Sequence, residues 1–82
     1  MKGLTPTELE ILQLTTNGMT AFETALQLFR SPKTIRVHRS KIIAKLGVNN
    51  MTEACAVGMY YELVTYEGKG GEHLYGPKSR GI

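Results

Sequence analysis

The sequence predicts an all-α domain of four helices. Three observations carry that expectation. "TPTE" (Thr5–Glu8) and "TAFE" (Thr20–Glu23) are capping boxes, in which a Thr hydroxyl and a Glu carboxylate satisfy each other's exposed backbone N–H groups. Ser31-Pro32 opens a further segment and Gly47 closes it, placing proline at the start and glycine at the end as a helix requires. Apolar residues then follow each start at helical spacing.

The first helix is read over Pro6 to Thr16. Thr5 caps it, Leu9, Ile11, Leu12 and Leu14 supply its apolar side, and Asn17-Gly18 ends it. The second begins after Thr20 and carries Phe22, Ala25, Leu26 and Phe29. It stops near Phe29, because Pro32 disfavours helical geometry at Ser31. The third runs from Pro32 to Leu46. The fourth is capped by Asn49 or Asn50, holds Glu53 near its positive end, and continues through Ala54, Cys55, Ala56, Val57, Met59 and Tyr60 to about Val64. Beyond Thr65 the chain is glycine-rich without periodicity. The expected organisation is a folded domain over 1–65 and a flexible tail over 66–82.

Composition bounds the rest. With 82 residues, 41% apolar and 21% charged, one small globular domain is expected rather than a disordered chain. No apolar run approaches the ~20 residues of a membrane span, and no apolar segment of a secretory signal follows Met1–Leu4. The single cysteine excludes an internal disulfide framework. A cytoplasmic setting with no membrane partner is therefore expected. Cys55, His38, His73 and the glutamates show neither metal-ligand spacing nor a nucleophile arrangement. No metal, cofactor or enzymatic activity is expected.

Charge points to a partner. The formal net charge is +3, yet no acid lies between Glu23 and Glu53, and six of the ten basic residues fall between Arg30 and Lys45. A one-signed stretch between acidic ones is the footprint of a polyanion-binding surface. Winding the third helix at about 100° per residue puts Ile35, Ile42 and Leu46 on one side, with Ile43 near its edge. Lys33, Val37, Ser40, Lys41 and Ala44 lie opposite, with Arg36 and His38 on the flanks. A short helix, a tight connection and a long helix with a small, basic outer face read as a helix-turn-helix, whose second helix enters the major groove.

Several residues have two readings. Arg39, nearer the buried side, either pairs with Glu8 or reaches a phosphate. His38 touches either a phosphate or the core. On the fourth helix Ala54, Val57, Gly58 and Tyr61 recur at helical spacing, while Cys55, Met59 and Leu63 lie elsewhere around it. A helix apolar on more than one side needs a second cover, which points to a homodimer. Ala54 and Gly58 would allow close helix approach. Ala54, Cys55, Gly58, Met59 and Glu62 are the expected dimer contacts.

"LTPTELEILQLTTNGMT" and "TIRVHRSKIIAKLGVNNMTEA", with the helix between them, resemble the LuxR/GerE-type DNA-binding domain over about Leu4 to Val64. The resemblance implies a four-helix domain that binds double-stranded DNA and pairs through its last helix. It places Arg36 and Ser40 at base edges, Val37 against bases, and Lys33, Thr34 and Lys41 at the DNA backbone. His38, Arg39 and Lys45 complete the expected phosphate contacts. With 82 residues no receiver or sensor domain is expected, and the chain resembles the small stand-alone members. It departs from the family pattern at Phe22, usually polar or basic, and at Thr24, usually a branched aliphatic. Two functions follow: a homodimeric, sequence-specific transcription regulator, or an interaction module that binds a partner regulator.

Overall fold

The computed structural model describes residues 3–68. Four helices follow in order: α1 (Pro6–Thr16), α2 (Ala21–Leu28), α3 (Pro32–Leu46) and α4 (Met51–Tyr60). No strand occurs among the described residues. The all-α fold is the one the capping boxes announce, and the first three helices keep their expected limits.

Local chemistry sets each boundary. In both capping boxes the Thr hydroxyl accepts from the Glu backbone N–H at 3.1 Å and the Glu carboxylate accepts from the Thr N–H at 2.9 Å. Ser31 Oγ accepts from Thr34 N–H at the start of α3, and Asn50 Oδ1 from Glu53 N–H at the start of α4. Each such cap stabilises its helix by about 1 kcal/mol. Gly18 (φ 98°) lets Met19 N–H turn back onto the Leu14 carbonyl, closing α1. Phe29 closes α2 in the left-handed region at φ 57°, a conformation that ordinarily selects glycine or asparagine.

The core joins Ile11 and Leu12 of α1, Ala25 of α2, Ile35 and Ile42 of α3, Ala54 of α4 and Val64. α1 and α3 touch each other, and both touch α2 and α4. The latter two do not meet. α4 is shorter than its apolar residues suggest. It ends at Tyr60, and Glu62 takes a left-handed turn at φ 61°. Leu63 N–H then bonds the Gly58 carbonyl at 2.7 Å, and Val64 folds back over the helix end. Val64 is thus a core residue of the returning chain rather than of the helix.

The return is fastened to α1. The Gln13 amide donates to the Thr65 carbonyl and accepts from Thr65 N–H, while Glu67 N–H donates to Asn17 Oδ1 at 2.8 Å. Contacts with the folded domain therefore extend past the expected boundary at residue 65. The rest of the expected tail, 69–82, lies outside the described residues.

Candidate nucleic-acid interface

Lys33, Arg36, Val37, Ser40, Lys41 and Ala44 are all exposed along one side of α3. Ile35 and Ile42 are fully buried on the other. From Lys33 to Ala44 this outer face is about 16 Å long. None of Lys33, Arg36 or Lys41 has an ion pair or hydrogen bond within the described chain, so their charge is free for an outside partner. The helix ends reinforce this polarity. α1, α2 and α4 each carry a glutamate in the first turn, whereas α3 carries no acid there. Its positive end is left uncompensated beside Lys33. Thr34 is partly covered, and its hydroxyl lies 3.0 Å from Ser31 Oγ within the cap.

Two of the residues expected at phosphates, Lys45 and Arg39, are engaged within the chain. Lys45 Nζ lies 2.8 Å from Glu8 Oε1, a carboxylate only 2% exposed. This hydrogen bond, followed by the one from Thr5 N–H, holds the Glu8 carboxyl below its ordinary pKa of 4.5 against the opposing effect of burial. Winding explains the difference: Lys45 sits with His38 on the flank of α3 that meets the start of α1, where a buried carboxylate waits. Arg39 does not pair with Glu8. Its guanidinium donates to Thr15 Oγ1 and to the Met19 carbonyl, both at 3.1 Å, tying α3 to the end of α1. Burial lowers the Arg39 pKa, and Cys55 and Arg36 act on it in opposite directions. His38 is half-buried, with Nδ1 covered and unbonded.

The expected dimer residues divide. Ala54 and Gly58 are buried inside the monomer, not on a free face. A Cβ built on Gly58 would lie 3.0 Å from Leu12 Cδ2 and 3.1 Å from Val64 Cγ2. The close approach Gly58 permits is therefore to α1 and to the returning Val64 of the same chain. Glu62 is exposed beyond the helix end. Met59 is exposed, as are Thr52 and Ala56, which the sequence reading passed over as contacts, and Cys55 between them is half-buried against the core. The signal was available: 52, 55, 56 and 59 follow the i, i+3, i+4, i+7 spacing of a helical stripe. They border a groove of about 490 Å³ that Thr16, Met19, Arg39 and Met51 also line.

Among the described residues no group of three or more His, Cys, Asp or Glu could hold a metal ion, and no helix is long and apolar enough to cross a membrane.

Comparison with known proteins agrees with this geometry. The family profile "GerE: Bacterial regulatory proteins, luxR family" matches residues 2–57. "Transcriptional regulatory protein UhpA" of Salmonella typhimurium is 42% identical over 50 residues, covering 61% of this chain and 26% of its own. "Transcriptional activator protein BglJ" of Escherichia coli is 45% identical over 49 residues, covering 60% and 22% respectively. The chain thus spans about a quarter of the length of these relatives. The solved "Structure of Transcription factor, GerE" superposes with a TM-score of 0.74 at 33% identity, covering 78% of this chain and 96% of that one. A profile matching over half the sequence and a shared four-helix fold give one conclusion: the chain belongs to the luxR family of bacterial regulatory proteins.

Proposed function

We propose that this chain is a sequence-specific double-stranded DNA-binding module of a transcription regulator, with α3 as its recognition helix. The observation that carries the proposal is the outer face of α3, free of acids, low in bulk and bearing unpartnered Lys33, Arg36 and Lys41. Ser40 and Ala44 are small enough to let the helix approach a groove floor. Arg36 reads base edges through its paired donors, Ser40 adds a single hydroxyl, and Val37 supplies apolar contact to a thymine methyl. Lys33, Lys41 and Thr34, with the exposed Arg30, serve the phosphates. Arg39 and Lys45 orient α3 from within and are left out of the phosphate set.

The module acts as a homodimer through Thr52, Cys55, Ala56 and Met59 of α4, an uncharged outer stripe beside the methionine-lined groove. Two copies related by a two-fold axis present two α3 helices to half-sites about 34 Å apart, so the target is an imperfect palindrome.

The test is a salt titration of binding to random and selected duplexes. Each phosphate neutralised contributes a slope of about −0.9 in log K against log salt, so three contacts give roughly −3 per protomer. A flat salt response, or equal affinity for every duplex, overturns the proposal.

A further inference from the structure

We propose that the groove between the end of α1, α3 and the outer side of α4 binds a small carboxylate with an apolar body, its acid group on Arg39. The groove encloses about 490 Å³, and its lining combines Met19, Met51, Met59 and Cys55 with Arg39 and Thr16. Small-molecule sites commonly hold about 300–1,000 Å³ and are apolar in the main, with a few convergent polar groups.

The polar part of this lining lacks an anion. Glu8 is taken by Lys45, and no carboxylate lines the groove. Arg39 is half-buried, and burial lowers its pKa by disfavouring the charge. Its two hydrogen bonds both leave from Nη2 and end on uncharged oxygens, Thr15 Oγ1 and the Met19 carbonyl. Nε is covered and unbonded, and Nη1 has no partner among the described residues. Thr16 is 8% exposed, and its Oγ1 is unbonded too. A guanidinium withdrawn from water is best matched by a carboxylate, which takes its planar donors in pairs. The chain supplies none here; a ligand can.

The methionines set the other end of that ligand. Three of the four in the chain line this groove. Their unbranched, polarizable side chains adapt to irregular apolar shapes, so an alkyl chain or an aryl ring suits them. Other occupants match less of the site. DNA brings anions without an apolar body, and the face of α3 proposed for it carries Lys33, Arg36 and Lys41 rather than Arg39. A second copy of the α4 stripe, Thr52, Cys55, Ala56 and Met59, is uncharged and brings no anion to Arg39. The groove shares that stripe, so a bound ligand opposes the pairing of α4. This consequence rests on the homodimer reading; the binding itself does not.

The experiment titrates decanoate, kept below its micelle concentration, into the full chain by calorimetry. Decanol and decylamine are probes of equal chain length. Decanoate should bind saturably, with the other two about tenfold weaker or more. Methionine methyl NMR should show the Met19, Met51 and Met59 signals shifting as decanoate is added. Arg39→Gln should lower the affinity about tenfold or more, and Arg39→Lys should lose less. Arg39 also ties α3 to α1, so Ala56→Trp stands beside it. Ala56 is exposed, and an indole there fills the groove without entering the core. It should cost decanoate a similar factor. Lys41→Ala, which removes an exposed cation outside the groove, should leave affinity within about twofold. Equal binding of the three probes, unmoved methionine signals, or unchanged affinity in both Arg39→Gln and Ala56→Trp overturns the proposal. An equal loss in Lys41→Ala overturns it too, by assigning decanoate to the basic surface at large. Self-association that Ala56→Trp abolishes, in a chain that does not bind decanoate, assigns the groove to a second copy. Bound decanoate that leaves sedimentation unchanged removes the competition with α4 pairing and keeps the site. Duplex binding by the unliganded chain, measured in parallel, tests the DNA reading by itself.

Discussion

Thr24 is fully buried on α2, and its Oγ1 has no hydrogen-bond partner. Thr24→Val replaces that hydroxyl with a methyl of nearly the same shape, so no cavity opens and no neighbour is displaced. Relief of an unsatisfied buried hydroxyl is worth about 1–3 kcal/mol in proteins. The methyl itself adds up to about 0.8 kcal/mol of burial. Helix propensities of Thr and Val are close, and the cap of α2 is Thr20, not Thr24. The variant should therefore be more stable by about 1–3 kcal/mol. In a domain of this size each kcal/mol raises Tm by roughly 4–8 °C. Urea unfolding should show a higher midpoint at unchanged slope. Thr24→Ser, which keeps the hydroxyl and deletes the methyl, should instead lose about 1 kcal/mol. If Thr24→Val lowers the midpoint as Thr24→Ser does, the hydroxyl is bonded in solution and the reasoning fails.

Glu8→Gln keeps the capping box but removes the charge facing Lys45, and should cost about 1–3 kcal/mol at neutral pH. Its pH signature follows from a folded pKa lowered below 4.5: the stabilisation is complete above that value and is lost as pH falls through the lowered one. Urea midpoints at neutral and acidic pH should show a drop in the parent chain that the variant lacks in part; parallel curves would remove Glu8 as a cause. Arg36→Ala should relax sequence preference and cost roughly 1–3 kcal/mol on the best site, whereas Lys41→Ala should weaken all duplexes alike and flatten the salt slope by about 0.9. An unchanged ranking of sequences in Arg36→Ala would refute its base-reading role. Met59 is 43% exposed, so Met59→Glu should keep helical content while weakening self-association and duplex binding. Circular dichroism beside sedimentation tests this, and an unaltered chain that binds a palindromic duplex as a single copy would refute the paired α4.

The helix starts were legible because their chemistry is local: Thr5, Thr20, Ser31 and Asn50 each need only a partner three residues on. The two sides of α3 were legible because Ile35 and Ile42 set its winding. The end of α4 was not, since Glu62 turns left-handed without a glycine to mark it. Partners across the core were also beyond reach. Winding says which flank Lys45 and Arg39 occupy, but not that Glu8 and the Met19 carbonyl stand opposite. Gly58 was legible as a place of close approach but not what approaches it, because a small residue does not name its neighbour; here it is Leu12 of α1 and Val64.

The two inward cations of α3 also make it a lever. Arg39 and Lys45, held by α1 and by the Met19 carbonyl beside it, are six residues apart, or about 9 Å along the axis. Lys33 lies a further ~9 Å beyond Arg39, past the buried Ile35 that anchors this half of the helix. With Arg39 as pivot, about 1 Å of slack at Lys45 tilts the rod by roughly 6° and moves Lys33 by a similar ~1 Å. That exceeds the ~0.5 Å within which a binding constellation keeps its geometry. Glu8, which faces away from the outer side of α3, thereby shares with the buried Ile35 and Ile42 in setting where that side points.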